Sequence, residues 1–153
     1  MFSQTVEYAL RAAVHLAMNP ALPQRTEEIA TATEVPAPYL AKVLRELNRH
    51  DLVVSQRGLG GGISLAKSPT EITILEIVNA VDPVQRIKTC PLKLATHGTR
   101  LCSLHRRMDD ALAMVEAAFG ETTLAEILDD SQQNIPLCER ITNGGDNEPL
   151  ALG

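Results

Sequence analysis

The sequence is poor in aromatic residues and in cysteine. Among its 153 residues, aromatic side chains make up 3%, tryptophan is absent and cysteine occurs three times. Because 44% of the residues are nevertheless hydrophobic, leucine, isoleucine, valine and alanine have to fill the core, which favours helices packed on helices. Three cysteines without secretory features do not support a disulfide scaffold. They predict reduced thiols or metal ligands in a cytoplasmic protein.

Long apolar runs and enzyme motifs are missing as well. No apolar stretch approaches the ~18 residues of a membrane helix, so we expect no membrane span. Glu7 and Arg11 interrupt the apolar N-terminal segment and no basic region precedes it, which predicts a helix rather than a signal peptide. The chain contains neither GxSxG nor HExxH and no paired-carboxylate pattern with its own context. We therefore expect a protein that is not an enzyme.

The negative charge is concentrated in the second half of the chain. The net charge is −5. Residues 1–68 contain seven Lys/Arg and six Asp/Glu, whereas residues 69–153 contain seven and thirteen. The first half is therefore slightly basic, and an acidic protein of this kind still has room for a DNA-binding surface.

Helical periodicity organises the first fifty residues. The spacing of the apolar residues predicts a helix over residues 3–18. Thr26 is expected to cap a short second helix over residues 27–33, and Pro38 to start a third helix that runs to residue 50. One face of the third helix is predicted to be buried, formed by Leu40, Val43, Leu44 and Leu47.

A glycine-rich hairpin is predicted directly after the third helix. Short β-like runs at residues 52–55 and 63–66 flank the segment RGLGGG, whose glycines form the turn. A helix followed by a glycine-tipped hairpin with an arginine is the layout of a winged helix-turn-helix, which places the helix in the major groove and the hairpin against the backbone or minor groove of DNA. A P-loop is disfavoured because no Lys-Ser/Thr follows the glycines.

The candidate DNA contacts lie off the buried face of the third helix and on the hairpin. Lys42 and Arg45 are spaced to reach base edges or phosphates, and Arg57 is placed to enter a narrow minor groove. For any single residue the alternative is a solvated charge on an amphipathic helix. The expected partner is a double-stranded DNA operator, and the complete candidate set is Thr26, Pro38, Tyr39, Lys42, Arg45, Arg57, Gly60 and Gly61.

The second half is predicted to contain a helix, a loop and a long helix. A helix is expected to start at Pro69-Thr70 and to end before Pro83, and residues 84–101 have no clean period. From about residue 102 to residue 119, apolar residues recur in threes and fours as a heptad-like seam, which Gly120 is expected to end. Thr122 or Thr123 is expected to cap a last short helix.

The seam has two interpretations. It packs within its own chain, or it joins two subunits. We favour a homodimer, because a helix this long after a loop in so small a chain has little else to cover its apolar side. A dimer also agrees with DNA binding, since dimers bind paired half-sites.

A cluster of potential metal ligands lies before and within this long helix. Cys90, His97, Cys102 and His105 fall within sixteen residues. Two thiolates with imidazoles suit a zinc ion or an iron–sulfur cluster. Neither CxxC nor HxxxH spacing is present, so a buried cysteine with histidines at a helix start is the alternative. Cys138 is interpreted as an incidental thiol.

Four segments of the chain, taken in order, resemble one protein family. They are YALRAAVHLA (8–17), YLAKVLRELNRHDLVVSQRGLGGGISLA (39–66), ITILEIVNAVD (72–82) and TTLAEIL (122–128). The set is similar to the Rrf-type family of bacterial winged-helix transcriptional regulators, the IscR/NsrR-like proteins, over roughly residues 1–130. The resemblance implies a homodimeric transcription factor, and many members hold a [2Fe–2S] or [4Fe–4S] cluster near the start of the dimerisation helix.

The resemblance also implies a set of ligands. Cluster-binding members have the pattern C-x5-C-x5-C, in some followed by x2-H, and Cys90 matches the first cysteine, Cys102 the third and His105 the histidine. The middle position departs from the pattern, because it is Thr96. Two thiolates suit a [2Fe–2S] cluster, completed by nitrogen or oxygen ligands, better than a four-thiolate [4Fe–4S] cluster. Glu7 matches a position where some relatives supply an acidic ligand from the partner subunit, so the candidate metal ligands are Cys90, Cys102, His105, Glu7 and His97.

The sequence therefore predicts a mainly α protein, with a winged helix-turn-helix DNA-binding domain and a long dimerisation helix. The expected division is residues 1–82 for DNA binding, 83–101 as a sensor loop, 102–130 for the dimerisation helix and a short C-terminal helix, and 131–153 as a disordered tail. The hypothesis for function is a homodimeric repressor that senses redox state, iron–sulfur status or nitric oxide. The alternatives are the same regulator without a metal, controlled by a thiol switch or a partner protein, and a metal-binding interaction protein.

Overall fold

The computed structural model describes residues 2–97, 100–129 and 136. Within them the chain forms mainly α-helix with one small antiparallel sheet, as the sequence predicted. The elements in chain order are α1 Gln4–Met18, α2 Thr26–Thr33, α3 Ala37–Arg49, β1 Val53–Gln56, β2 Gly62–Leu65, α4 Ile74–Val81, a 3₁₀ turn Ala95–His97, α5 Ser103–Glu121 and α6 Leu124–Leu128. No helix of the described part is long and apolar enough to cross a membrane.

Helix α1 is the centre of the core. It packs against α2, α3, α4 and α6, and its small residues allow these neighbours to approach closely. Ala9 and Ala12 are fully buried, as are Ile29 of α2, Leu47 of α3 and Leu124 of α6. The described core thus consists of aliphatic side chains, in agreement with the low aromatic content.

Helix α4 begins later than the sequence predicted. The expected start at Pro69-Thr70 is wrong, because residues 69–71 form a turn instead, and residues 72–74 then pair with the segment between α5 and α6. The Ile74 amide donates to the Thr122 carbonyl at 2.9 Å, and the Leu124 amide donates to the Ile72 carbonyl at 2.9 Å. A capping box then starts the helix, in which Thr73 exchanges hydrogen bonds with Glu76.

Two other predicted helix boundaries are also wrong. Thr26 is the first helical residue and not the cap; Arg25 holds the cap position, and its amide donates to the Glu28 carboxylate at 2.7 Å. Gly120 does not end α5, which continues to Glu121. A Cβ on Gly120 would lie 3.4 Å from the side chain of Leu75 in α4. Close packing of the two helices therefore offsets the weak helix propensity of glycine.

Candidate DNA-binding surface and sensor region

The predicted division of α3 into a buried and an exposed face is confirmed. Leu40, Val43 and Leu47 are at most 1% exposed, and they fix the helix on the core. Lys42 and Arg45 are exposed on the other side. Among the described residues, neither cation forms an ion pair, so both remain available to phosphates or base edges.

The N-terminal end of α3 presents the remaining helical candidates. Pro38 occupies the first turn of the helix and is exposed. Tyr39 is 59% exposed, and its ring lies 6.1 Å from the ring of Tyr8 in α1. This contact fixes the position of a side chain that points to solvent. Thr26 is half-buried in the first turn of α2.

The hairpin after α3 has a narrow tip made almost entirely of glycine. Strands β1 and β2 pair from Val53–Leu65 to Gln56–Gly62, and the Gly61 amide donates to the Gly58 carbonyl at 3.0 Å. Gly60 has a φ of +74°, and a Cβ on Gly61 would collide with the Gln56 carbonyl oxygen. The tight turn therefore requires glycine at both candidate positions. We call residues 53–65 the wing; it carries an exposed Arg57.

A polar residue ahead of α2 attaches the wing to the helical core. The Gln24 amide donates to the Ile63 carbonyl at 2.9 Å, and the Ile63 amide donates to the Gln24 carbonyl at 2.7 Å. The Gln24 side-chain oxygen lies 2.6 Å from His15 Nε2 in α1. Sequence reasoning missed this attachment, because one glutamine in a loop gives no periodic signal.

The structure brings two of the proposed metal ligands together. Cys102 caps α5, and its Sγ lies 3.3 Å from His105 Nδ1. Cys90 is buried at 7% exposure. Thr96, at the middle position of the cluster pattern, is exposed. The backbone of His97 belongs to the 3₁₀ turn, and Cys138 lies outside the described residues.

The described side chains among the proposed ligands do not by themselves make up a metal site of three or more ligands. Glu7 pairs with Arg11, with the Glu7 Oε1 atom 3.0 Å from Arg11 Nε. Nowhere in the described part of the chain do three His, Cys, Asp or Glu side chains converge as metal ligands. The donor set fits a metal group only when further ligands join the Cys102–His105 pair.

The loop before Cys90 is fastened to α5 by one arginine. Arg86 donates from Nε and Nη2 to the two oxygens of Asp109, both at 2.7 Å, and from Nη1 to Glu116 at 2.9 Å. The Ile87 amide also donates to Asp109, at 2.8 Å. The Arg86 hydrogen bonds hold the pKa of Asp109 at about 2, below its ordinary value of 3.8. We call these contacts the Arg86 latch.

Helix α5 exposes much of its apolar side. None of its residues is fully buried, and Leu104, Met108 and Met114 are 65%, 49% and 73% exposed. The half-buried Leu112 and Val115 line a groove of about 450 Å³ together with residues of α1, α4 and the following loop. The predicted seam is therefore present and is largely uncovered in a single chain.

Comparisons with known proteins agree with this architecture. The family model Rrf2, described as "Iron-dependent Transcriptional regulator", matches residues 2–130. An HTH-type transcriptional regulator of Aquifex aeolicus is 33% identical, covering 88% of this chain and 96% of the relative. The HTH-type transcriptional regulator NsrR of Geobacillus kaustophilus is 32% identical, covering 81% and 86%.

Solved structures share the same fold. CymR, the global cysteine regulator of B. subtilis, has a TM-score of 0.67 at 25% identity and covers 83% of this chain and 95% of its own. IscR of T. potens has a TM-score of 0.72 at 22% identity and covers 86% and 88%.

Proposed function

This chain belongs to the Rrf2 family of DNA-binding transcriptional regulators, and we propose that it is a homodimeric repressor whose sensor loop is residues 83–101. The signal classes are redox state, iron–sulfur status or nitric oxide. The observation that carries the proposal is the Arg86 latch, which joins the cysteine-bearing loop to the apolar helix α5. A change at the cysteines is therefore able to alter the packing of α5.

The parts of the chain have separate roles in this proposal. Residues 1–82 read DNA through α3 and the wing, residues 83–101 receive the signal, and residues 102–130 join two subunits. A signal shifts such an equilibrium only when it interacts differently with the DNA-binding and the non-binding arrangements. The differing contacts are those between the loop and α5.

The uncovered seam of α5 supports the proposed dimer. An aspartate at Val115 would place an unpaired charge in the apolar contact between two subunits. We expect Val115→Asp to yield monomers and to lose operator binding, because the paired half-sites are no longer held together. Ala117→Asp is the matched control, because Ala117 is an exposed residue of the same helix off the seam. It should leave the dimer intact.

Analytical ultracentrifugation at micromolar concentration measures both variants, and circular dichroism checks that they fold. A stable Val115→Asp dimer would contradict the proposal and would assign the seam to packing within one chain.

A [2Fe–2S] cluster is the proposed sensor. The donor set that supports it is Cys90, Cys102 and His105, of which the last two are in contact. The remaining ligand would come from His97 or from the partner's Glu7. When bound, such a cluster supplies one-electron chemistry. The protein provides the thiolates, the imidazole and the attachment of their loop to α5.

Anaerobic purification tests the cluster. We expect a coloured protein with about two irons per subunit, measured by the visible spectrum with iron and sulfide assays. Cys90→Ala and Cys102→Ala should bleach it, and Cys138→Ala serves as the control that should not. A colourless protein after anaerobic reconstitution with iron and sulfide would contradict the cluster and favour control by a thiol switch or a partner protein.

A further inference from the structure

One large hydrophobic side chain stands at the tip of the wing with no packing partner. Leu59 is 108% exposed, the highest value among the large hydrophobic residues that the structure describes. Single exposed leucines are common on proteins. Leu59 differs from such residues in its position at the tip of the wing and in the glycines and the cation around it.

The tip holds Leu59 away from the rest of the molecule. Leu59 and Gly60 occupy the two central positions of the turn that the Gly61–Gly58 hydrogen bond closes. The positive φ of Gly60 is that of a type II turn. Because the other three residues of the turn are glycines, Leu59 is its only side chain. The result is a slender backbone ridge with one apolar group at its end.

The charge around the tip suits a nucleic acid. The sequence contains no acidic residue between Asp51 and Glu71, whereas Arg57 and Lys67 lie in this interval. Arg57 is exposed two residues before Leu59. Lys67 Nζ lies 3.5 Å from Glu76 Oε1, so Arg57 supplies the positive charge of the wing, and the wing itself carries no acidic side chain that would repel a phosphate. The paired Gln24 and Ile63 backbones fix the wing relative to α1 and α2.

These features together point to the minor groove. With α3 in the major groove, the wing of such a module lies against the neighbouring backbone or minor groove. That groove is about 6 Å wide, and its floor distinguishes A·T from G·C pairs by the guanine 2-amino group. An apolar side chain on the floor leaves that amino group without a hydrogen-bond acceptor, whereas an A·T floor carries no such donor.

We propose that Leu59 is a specificity-determining residue, which packs into the minor groove beside each half-site and selects A·T pairs there by rejecting the guanine 2-amino group. This inference rests on the proposed DNA-binding role of α3 and the wing. The expected preference is about 5- to 10-fold, at the lower end of the cost of one mismatched base pair.

The test begins with selection of DNA from random-sequence duplexes by the full-length protein, in parallel for the wild type, Leu59→Ala and Leu22→Ala. Leu22 is an exposed leucine in the loop between α1 and α2, outside α3, the wing and the sensor loop, and serves as the matched control. We expect all three proteins to select the same central motif. The wild type and Leu22→Ala should add A·T pairs at the flanking positions, and Leu59→Ala should accept any pair there.

Inosine separates the amino group from other features of the base pair. Replacing a flanking A·T pair by G·C should weaken wild-type binding 5- to 10-fold, and replacing that G·C by inosine·C, which lacks the amino group, should restore it. Leu59→Ala should bind all three duplexes equally. Equal A·T preference in Leu59→Ala and the wild type, or no preference in the wild type, would overturn the inference while leaving DNA binding intact. Failure of the wild type to select any motif would overturn the proposed function as well.

Discussion

The attachment of the wing to the core can be tested at Gly62. This residue has a φ of +154°, and a Cβ added to it would lie 2.6 Å from the Gln24 carbonyl oxygen and 2.8 Å from the Gln24 carbonyl carbon and amide nitrogen. All three contacts are with backbone atoms, which cannot rotate away. Gly62→Ala therefore has to separate the wing from the segment ahead of α2.

The loss of stability in Gly62→Ala follows from the hydrogen bonds that the variant breaks and from the backbone conformation that it imposes on an alanine. Two backbone hydrogen bonds between Gln24 and Ile63 contribute roughly 0.5–1.5 kcal/mol each. The unfavourable backbone conformation of an alanine at Gly62 adds roughly 1–3 kcal/mol. We expect the free energy of unfolding to fall by about 2–6 kcal/mol. Against a typical total of about 5–15 kcal/mol, much of the variant should still fold.

Gly60→Ala is the matched control for the effect of the unfavourable backbone conformation alone. Gly60 also has a positive φ, but no atom lies within 4 Å of the position of its Cβ. The free energy of unfolding of Gly60→Ala should therefore fall only by the strain of the positive φ, roughly 1–2 kcal/mol. Urea unfolding measures both variants, and amide hydrogen exchange at Ile63 reports whether the attachment has opened. If Gly62→Ala is no less stable than Gly60→Ala and Ile63 stays protected, the attachment does not depend on the close approach described here.

Two further predictions concern the reading surface and the latch. Lys42→Ala and Arg57→Ala should each weaken operator binding, by on the order of 1–3 kcal/mol for a base contact, whereas Arg49→Ala, which removes a cation already paired with a glutamate, should change it little. Fluorescence anisotropy measures the affinities. If Lys42→Ala and Arg57→Ala bind the operator as tightly as the wild type, neither residue belongs to the DNA interface.

The low pKa of Asp109 means that its contact with Arg86 is complete above about pH 4 and lost as the pH falls through about 2. Arg86→Lys removes the forked hydrogen bonds and should return the pKa of Asp109 toward 3.8, as followed by NMR of the carboxyl carbon. An unchanged titration would refute the latch.

Local patterns in the sequence predicted much of the fold. The buried face of α3 was predicted from apolar residues at helical spacing. The cap of α6 was predicted to be Thr122 or Thr123; it is Thr123, which also forms a capping box with Glu126. The hairpin was predicted from two short β-like runs on either side of a glycine cluster. Each of these signals lies within a few residues, where propensity and periodicity act.

Contacts between distant segments were not predictable in the same way. Arg86 and Asp109 are 23 residues apart, and an arginine in an aperiodic loop does not reveal which carboxylate it will meet. The late start of α4 has the same origin, because Ile72 pairs with Leu124 across the chain. Of the metal-ligand candidates, only Cys102 and His105 were close enough in sequence for the spacing to predict their contact.

The way α5 is held has a consequence for the geometry of the operator. The helix is tied to its own subunit along its middle by the Arg86 latch and at its C-terminal end by the hydrogen bonds of Ile74 and Leu124. A helix fixed at two points is expected to move as one rigid body with the segments that hold it. In the proposed dimer, the angle at which the two α5 helices cross would set the rotational phase between the recognition helices. Five extra base pairs between the half-sites, about half a turn of DNA, would carry one half-site to the opposite face of the duplex, where its recognition helix would not reach it.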